Sequence, residues 1–154
     1  MKTIRNSRAA KIIVDILMTI FLILSFIRWD DSNFIFHAVV GTCCALFFAL
    51  HVCIHRKWLK AVTKSLLGGK LNKVLRWKYV VDVLLLTVWA IAIATGFLAI
   101  GYFPLEIERM AIFGRLHGVA SRIGLGLVVI HILQHIPQIK SYIGIKYKPK
   151  ADKI

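Results

Sequence analysis

Acidic residues are scarce in this chain: 7 Asp and Glu stand against 21 Lys and Arg, a formal net charge of +14 over 154 residues. Such an excess alone would suit a nucleic-acid binder. The hydrophobic fraction of 58% and the mean hydropathy of +0.73 do not. Long apolar runs separate the basic clusters, which excludes both a nucleic-acid interface and an ordinary soluble domain. The chain also has no phosphate-binding glycine loop, no catalytic triad and no zinc-protease helix. Histidine is absent from most of it: all six lie in two stretches, 37–55 and 117–135.

Four runs are long and apolar enough to cross a bilayer, at 12–27, 34–54, 79–102 and 116–136. Backbone in lipid must satisfy its own hydrogen bonds, so each is expected to be a helix. The first run is short and carries Asp15, and Lys2, Arg5 and Arg8 precede it as in a signal peptide. No small-residue cleavage site follows it; the next residues are Arg28-Trp29-Asp30-Asp31. Basic residues cluster in the N-terminal arm, in the segment Arg56 to Lys78 and in the tail from Lys140, together 17 of the 21. Asp30, Asp31, Glu106 and Glu108 fall in the opposite loops. That asymmetry places both termini and the middle segment in the cytoplasm. Trp29, Trp58 and Trp77 sit at span ends, as an aromatic belt requires.

The chain repeats itself. KIIVDIL at 11–17 returns as KYVVDVL at 78–84, an offset of 67. HAVVGTCCALFFALHVCIH at 37–55 returns as HGVASRIGLGLVVIHILQH at 117–135, an offset of 80, with all three histidines aligned. The expected fold is therefore all-α and integral to the membrane. It is a four-transmembrane-helix bundle built from two tandem hairpins, about 8–58 and 75–138. The 13 extra residues of the second repeat lie around 101–115, a candidate docking loop.

A helix turns 100° and rises 1.5 Å per residue. His37, His51 and His55 then share one stripe, with His37 and His51 about 21 Å apart along the axis. His117, His131 and His135 repeat the arrangement. Titratable groups inside a membrane are expensive and normally face a site. Zinc or iron alone would want clustered ligands with carboxylates or thiolates nearby. Histidines paired at two depths on parallel spans suit two bis-histidine haems instead. His37 and His117 are the expected outer ligands, and His51 and His131 the inner ones. His51 and His55 are only about 6 Å apart along the axis, too close for two macrocycles. His55 and His135 are thus rivals for the inner iron, or groups that hydrogen-bond a propionate, orient a ligand or help bind a quinone.

Several other residues belong to this expectation. Arg122, five residues inside His117, needs a partner that an outer propionate would supply, and Arg28 and Arg115 are further candidates. Cys44 and Gly124 lie midway between the flanking histidines at matching positions. Gly41, Gly118 and Gly126 also reduce bulk, for a porphyrin or for helix packing. Asp15 and Asp82 are equivalent in the repeat. A salt link to Lys11 or Lys78 is their simplest role; orienting His55 and His135 or relaying a proton is the other. The three cysteines lie in one span with no C-x-x-C-H, so covalent haem attachment is not expected.

The pattern H-x13-H-x3-H, present twice, with K-x2-V-D opening the alternate spans, resembles the flavinylation-associated cytochromes. These are small four-helix bacterial membrane proteins. More distantly it is similar to the haem-b membrane subunits of formate dehydrogenases and hydrogenases. The likeness covers about residues 8–138. His55-Arg56-Lys57-Trp58 matches the family's H-x2-W ending, whereas Gln138 stands where the second tryptophan would be. The resemblance implies two haems b and electron transfer to an extracytoplasmic, flavin-bearing partner. Combined with the residues, it gives a transmembrane electron carrier between menaquinol or ubiquinol and an outer-surface redox protein. A quinol-dependent reductase or oxidase acting at one haem, and a histidine-lined conduit for metal ions or protons, fit the same histidines.

Overall fold

The computed structural model describes residues 8–27, 34–69, 72–101 and 107–142. Four helices account for nearly all of them: α1 (Arg8–Phe26), α2 (Phe34–Leu67), α3 (Lys73–Gly101) and α4 (Ile107–Tyr142). All four are long and apolar enough to cross a membrane, and no strand occurs among the described residues. The chain is an all-α, multi-pass membrane protein.

The helices outrun the apolar segments that define the spans. α2 has 34 residues, about 51 Å at 1.5 Å per residue, against a hydrocarbon core of about 30 Å. Its surplus carries Arg56, Lys57, Lys60 and Lys64, all exposed. The basic segment expected as a loop is therefore mostly helical. Alternation of those cations with apolar residues such as the buried Val62 lets the helix continue past the membrane. Gly69 ends it with a φ of +69°, a left-handed value that suits glycine. Amide bonds from Gly68 to the Lys64 carbonyl (3.1 Å) and from Gly69 to that of Leu66 (3.0 Å) close the last turn. Asn72 then caps α3, its Oδ1 accepting from the Leu75 amide at 2.8 Å. At the other end α4 begins at Ile107, not near 116, so the latter part of 101–115 is helix. Residues 102–106 of that candidate docking loop lie outside the described residues. Pro137 removes one backbone donor from α4, yet the helix runs on to Tyr142.

The chain forms two compact units, Met1–Ala61 and Val62–Ile154, and α2 passes through the boundary between them. Within the first unit, Asp15, Met18 and Ser25 of α1 meet α2, and the buried Leu22 falls in the same 3–4 residue register. Phe21 stacks on Phe47 beside this seam, with ring centroids 5.4 Å apart. Ile13, Ile16, Ile20 and Ile23 keep the same spacing on another stripe and are exposed, a face for lipid. In the second unit α3 buries Val81, Ala92, Thr95 and Ala99, and α4 buries Ala120, Ser121 and Gly124. Small residues dominate the α3–α4 seam, which lets the backbones approach closely.

Candidate functional site

Each unit carries a ladder of histidines along a helix seam. In the first, His37, Cys44 and His51 follow one another every seven residues on α2 and meet α1 at three heights. His37 donates from Nδ1 to the Ser25 carbonyl at 3.1 Å. Cys44 is buried, its Sγ 4.0 Å from the Met18 carbonyl. His51 donates from Nδ1 to Asp15 Oδ1 at 2.6 Å. In the second, His117, Gly124 and His131 repeat the series on α4 against α3. His117 Nδ1 lies 2.8 Å from the Ala92 carbonyl, and His131 Nδ1 lies 2.7 Å from Asp82 Oδ1.

The acceptors obey the repeat as strictly as the donors. Asp15 and Asp82 differ by 67 positions, and so do Ser25 and Ala92; the histidines differ by 80. The aspartates thus take histidines as partners, which corrects the expected links to Lys11 and Lys78. Their hydrogen bonds go to His51 and His131, and Asp82 also faces His135 at the longer distance of 3.9 Å. The reason is geometric: an aspartate side chain is short, and the seam puts the histidine across from it, whereas a lysine on the same helix can extend to the polar surface.

A carbonyl oxygen can only accept, so Nδ1 of His37 and His117 carries the proton and Nε2 carries the lone pair. A carboxylate imposes the same tautomer on His51 and His131. Metal-ligating histidines are typically held this way, one ring nitrogen donating to a carbonyl or carboxylate while the other binds. His135 has the reverse arrangement, with Nε2 facing Asp82 Oδ2 at 3.9 Å. Its ring packs on His131 with centroids 4.5 Å apart, and His55 packs on His51 at 4.6 Å. The Ser121 hydroxyl sits 3.5 Å from His117 Nε2, a long contact on the side of that ring away from the Ala92 carbonyl.

Asp15, His51 and His55 bring one ligand atom each within 4.8 Å of one another, and Asp82, His131 and His135 do the same. Two atoms bound to one tetrahedral ion at about 2.1 Å stand about 3.4 Å apart. The aspartate–Nδ1 separations are shorter than that and have hydrogen-bond lengths. In this arrangement the carboxylate orients the imidazole and does not share a metal with Nδ1.

The remaining expected residues behave unequally. Arg115 and Arg122 are exposed, and neither has an ion-pair partner among the described residues; Arg28 lies outside those residues. A Cβ placed on Gly41 would meet nothing within 4 Å. On Gly124 it would lie 3.3 Å from Trp89 Nε1 and 3.5 Å from Val88, so that glycine serves the packing of α3 on α4. Two residues escaped the sequence reading. Gly96 faces His117: a Cβ there would stand 3.0 Å from Nδ1 and 3.2 Å from Cε1. Gln134 buries both amide atoms with no hydrogen-bond partner among the described residues. Its repeat equivalent is Ile54, and that polar departure inside an otherwise apolar repeat was the signal. No family model, curated protein or solved structure matches the chain.

Proposed function

We propose that the protein is a di-haem b-type membrane cytochrome that carries electrons across the cytoplasmic membrane. His37 and His117 ligate the outer iron, and His51 and His131 the inner one, each haem taking one histidine from each hairpin. The observation that carries this reading is the shared tautomer. All four rings are held at Nδ1 by an acceptor from the adjacent helix, with Nε2 left as the basic nitrogen. The Nε2-first approach of His135 to Asp82 favours His131 over His135 as the inner ligand. Each bound haem supplies a one-electron ferric/ferrous couple, and two fully ligated irons suit a carrier better than a catalyst.

The basic residues orient the protein with both termini in the cytoplasm. Quinol, as menaquinol or ubiquinol, is the proposed donor on that side, and an extracytoplasmic redox protein the acceptor. The likeness to the flavinylation-associated cytochromes supports a flavin-bearing acceptor. A metal conduit gains support from the two Asp-His-His groups, but their internal hydrogen bonds weigh against it.

Purified protein reduced with dithionite is expected to show the α band of six-coordinate haem b, with two haems per chain by pyridine haemochrome. His37→Ala and His51→Ala each lose one haem, while His55→Ala keeps both. A colourless protein sinks the reading. Loss of the inner haem in His55→Ala but not in His51→Ala transfers the inner iron to the other pair.

A further inference from the structure

The four proposed ligands fall into two chemically unequal pairs. His51 and His131 donate Nδ1–H to carboxylates, at 2.6 and 2.7 Å. His37 and His117 donate to backbone carbonyls, at 3.1 and 2.8 Å. A carboxylate draws the Nδ1 proton toward itself and gives the ring imidazolate character, which makes Nε2 a stronger donor to a metal. A neutral carbonyl does this far less, because the charged hydrogen bond is about twice as strong. A stronger donor stabilises ferric iron over ferrous. The same inequality arises twice, from separate helices at equivalent repeat positions.

From this asymmetry we infer that Asp15 and Asp82 are positioning residues that hold the inner iron at a lower reduction potential than the outer iron, so that electrons run downhill from the cytoplasmic side outward. The inference rests on the di-haem reading and the orientation given above. Cations near the inner end act in the opposite sense. Arg56 and Lys57 follow His55 immediately, but both are exposed, where solvent and salt screen them. The carboxylates touch the ligand rings directly, and contact prevails over screened charge. The two aspartates are not equal either. The Asp82 side chain is 11% exposed and that of Asp15 38%, so the effect of Asp82 is the larger.

The test is a spectroelectrochemical titration of the purified holoprotein, in the wild-type chain and in a His37→Ala background that leaves the inner haem alone. Wild type is expected to give two one-electron waves, with the lower one surviving in His37→Ala. Asp82→Asn raises that wave by on the order of tenfold in the ferrous-to-ferric ratio, about 59 mV for one electron. Asp15→Asn raises it less, and neither moves the outer wave. Asp82→Glu and Asp15→Glu keep the charge and stay near the wild-type potential. Where an Asn variant sheds the inner haem, the matching Glu variant carries the test by retaining it at low potential. Equal potentials, a higher inner wave, an inner wave indifferent to Asn, an outer wave that moves as far, or Glu variants that behave like Asn each overturn the inference and leave the di-haem reading intact. A wild-type chain without haem removes that reading itself.

Discussion

Replacing Gly96 with alanine adds one methyl group against the ring of His117. The new Cβ would stand 3.0 Å from Nδ1 and 3.2 Å from Cε1, tighter than ordinary van der Waals contact. The ring must retreat by a few tenths of an ångström. It is tethered on that side, since Nδ1 donates to the Ala92 carbonyl at 2.8 Å. A retreat of about 0.4 Å stretches the bond to about 3.2 Å, the long limit for N–H···O. The loss is about 0.5–1.5 kcal/mol. Alanine in place of glycine within a helix contributes about 0.8–1.0 kcal/mol in the opposite direction. The two nearly cancel, so unfolding in detergent should shift by less than about 0.7 kcal/mol in either direction. The orientation of the His117 ring does not cancel, and the proposed outer haem would report it. Gly96→Ala is expected to move the low-spin EPR signal and the potential of the outer haem, and to leave the inner haem unchanged. Gly114→Ala is the control, because its Cβ meets nothing within 4 Å and the residue lies outside both histidine stretches. That variant should be the more stable of the two, with both haem signals unmoved. Identical outer-haem signals in the two variants would refute the reasoning, as would a change confined to the inner haem.

Two further substitutions probe the frame around the site. Gln134→Ile installs the residue found at the equivalent position 54 and removes a buried amide without a partner among the described residues. A gain of about 1–3 kcal/mol in detergent unfolding is expected, whereas a loss of stability or of haem shows that the amide serves a ligand. Gly69→Ala forces a side chain into a φ of +69° and should cost about 1–2 kcal/mol, read by thermal unfolding; an unchanged midpoint removes the argument for a left-handed stop after α2.

The sequence carries the helices and the hairpins because both depend on patterns local in the chain. Apolar runs bounded by basic clusters mark the spans, and the 67 and 80 offsets pair α1 with α3 and α2 with α4. Helix ends were less legible. Charged residues can extend a helix into the aqueous phase, as Arg56 to Lys64 do on α2, and hydropathy does not register that. The histidines were visible because they are rare and repeated. Their acceptors were only half visible. Asp15 and Asp82 stand out as charges in a span, but choosing His51 over Lys11 as partner requires knowing which face of α1 meets α2. Ser25 and Ala92 act through backbone carbonyls, which no residue type advertises. Gly96 was hidden for a related reason: its role lies in the space it leaves beside a ring on another helix.

Every acceptor that orients a proposed ligand belongs to that ligand's own hairpin. Asp15 and Ser25 serve α2, and Asp82 and Ala92 serve α4. Each hairpin therefore fixes the tautomer and tilt of its two rings by itself. Ligand rotamers locked in advance leave less freedom to lose on binding, and affinity rises accordingly. On the di-haem proposal a hairpin of this kind would be a half-site, and its duplication within one chain would supply the second half at high effective concentration. The arrangement also limits what a defect can do. Asp82→Asn alters the ring of His131 and leaves His51 held by Asp15, so on the di-haem proposal one of the two inner ligands would keep its strong donor. The double variant Asp15→Asn/Asp82→Asn removes both, and its inner potential should rise beyond that of either single variant. A double variant no higher than Asp82→Asn alone would mean that the two hairpins do not act on the same iron.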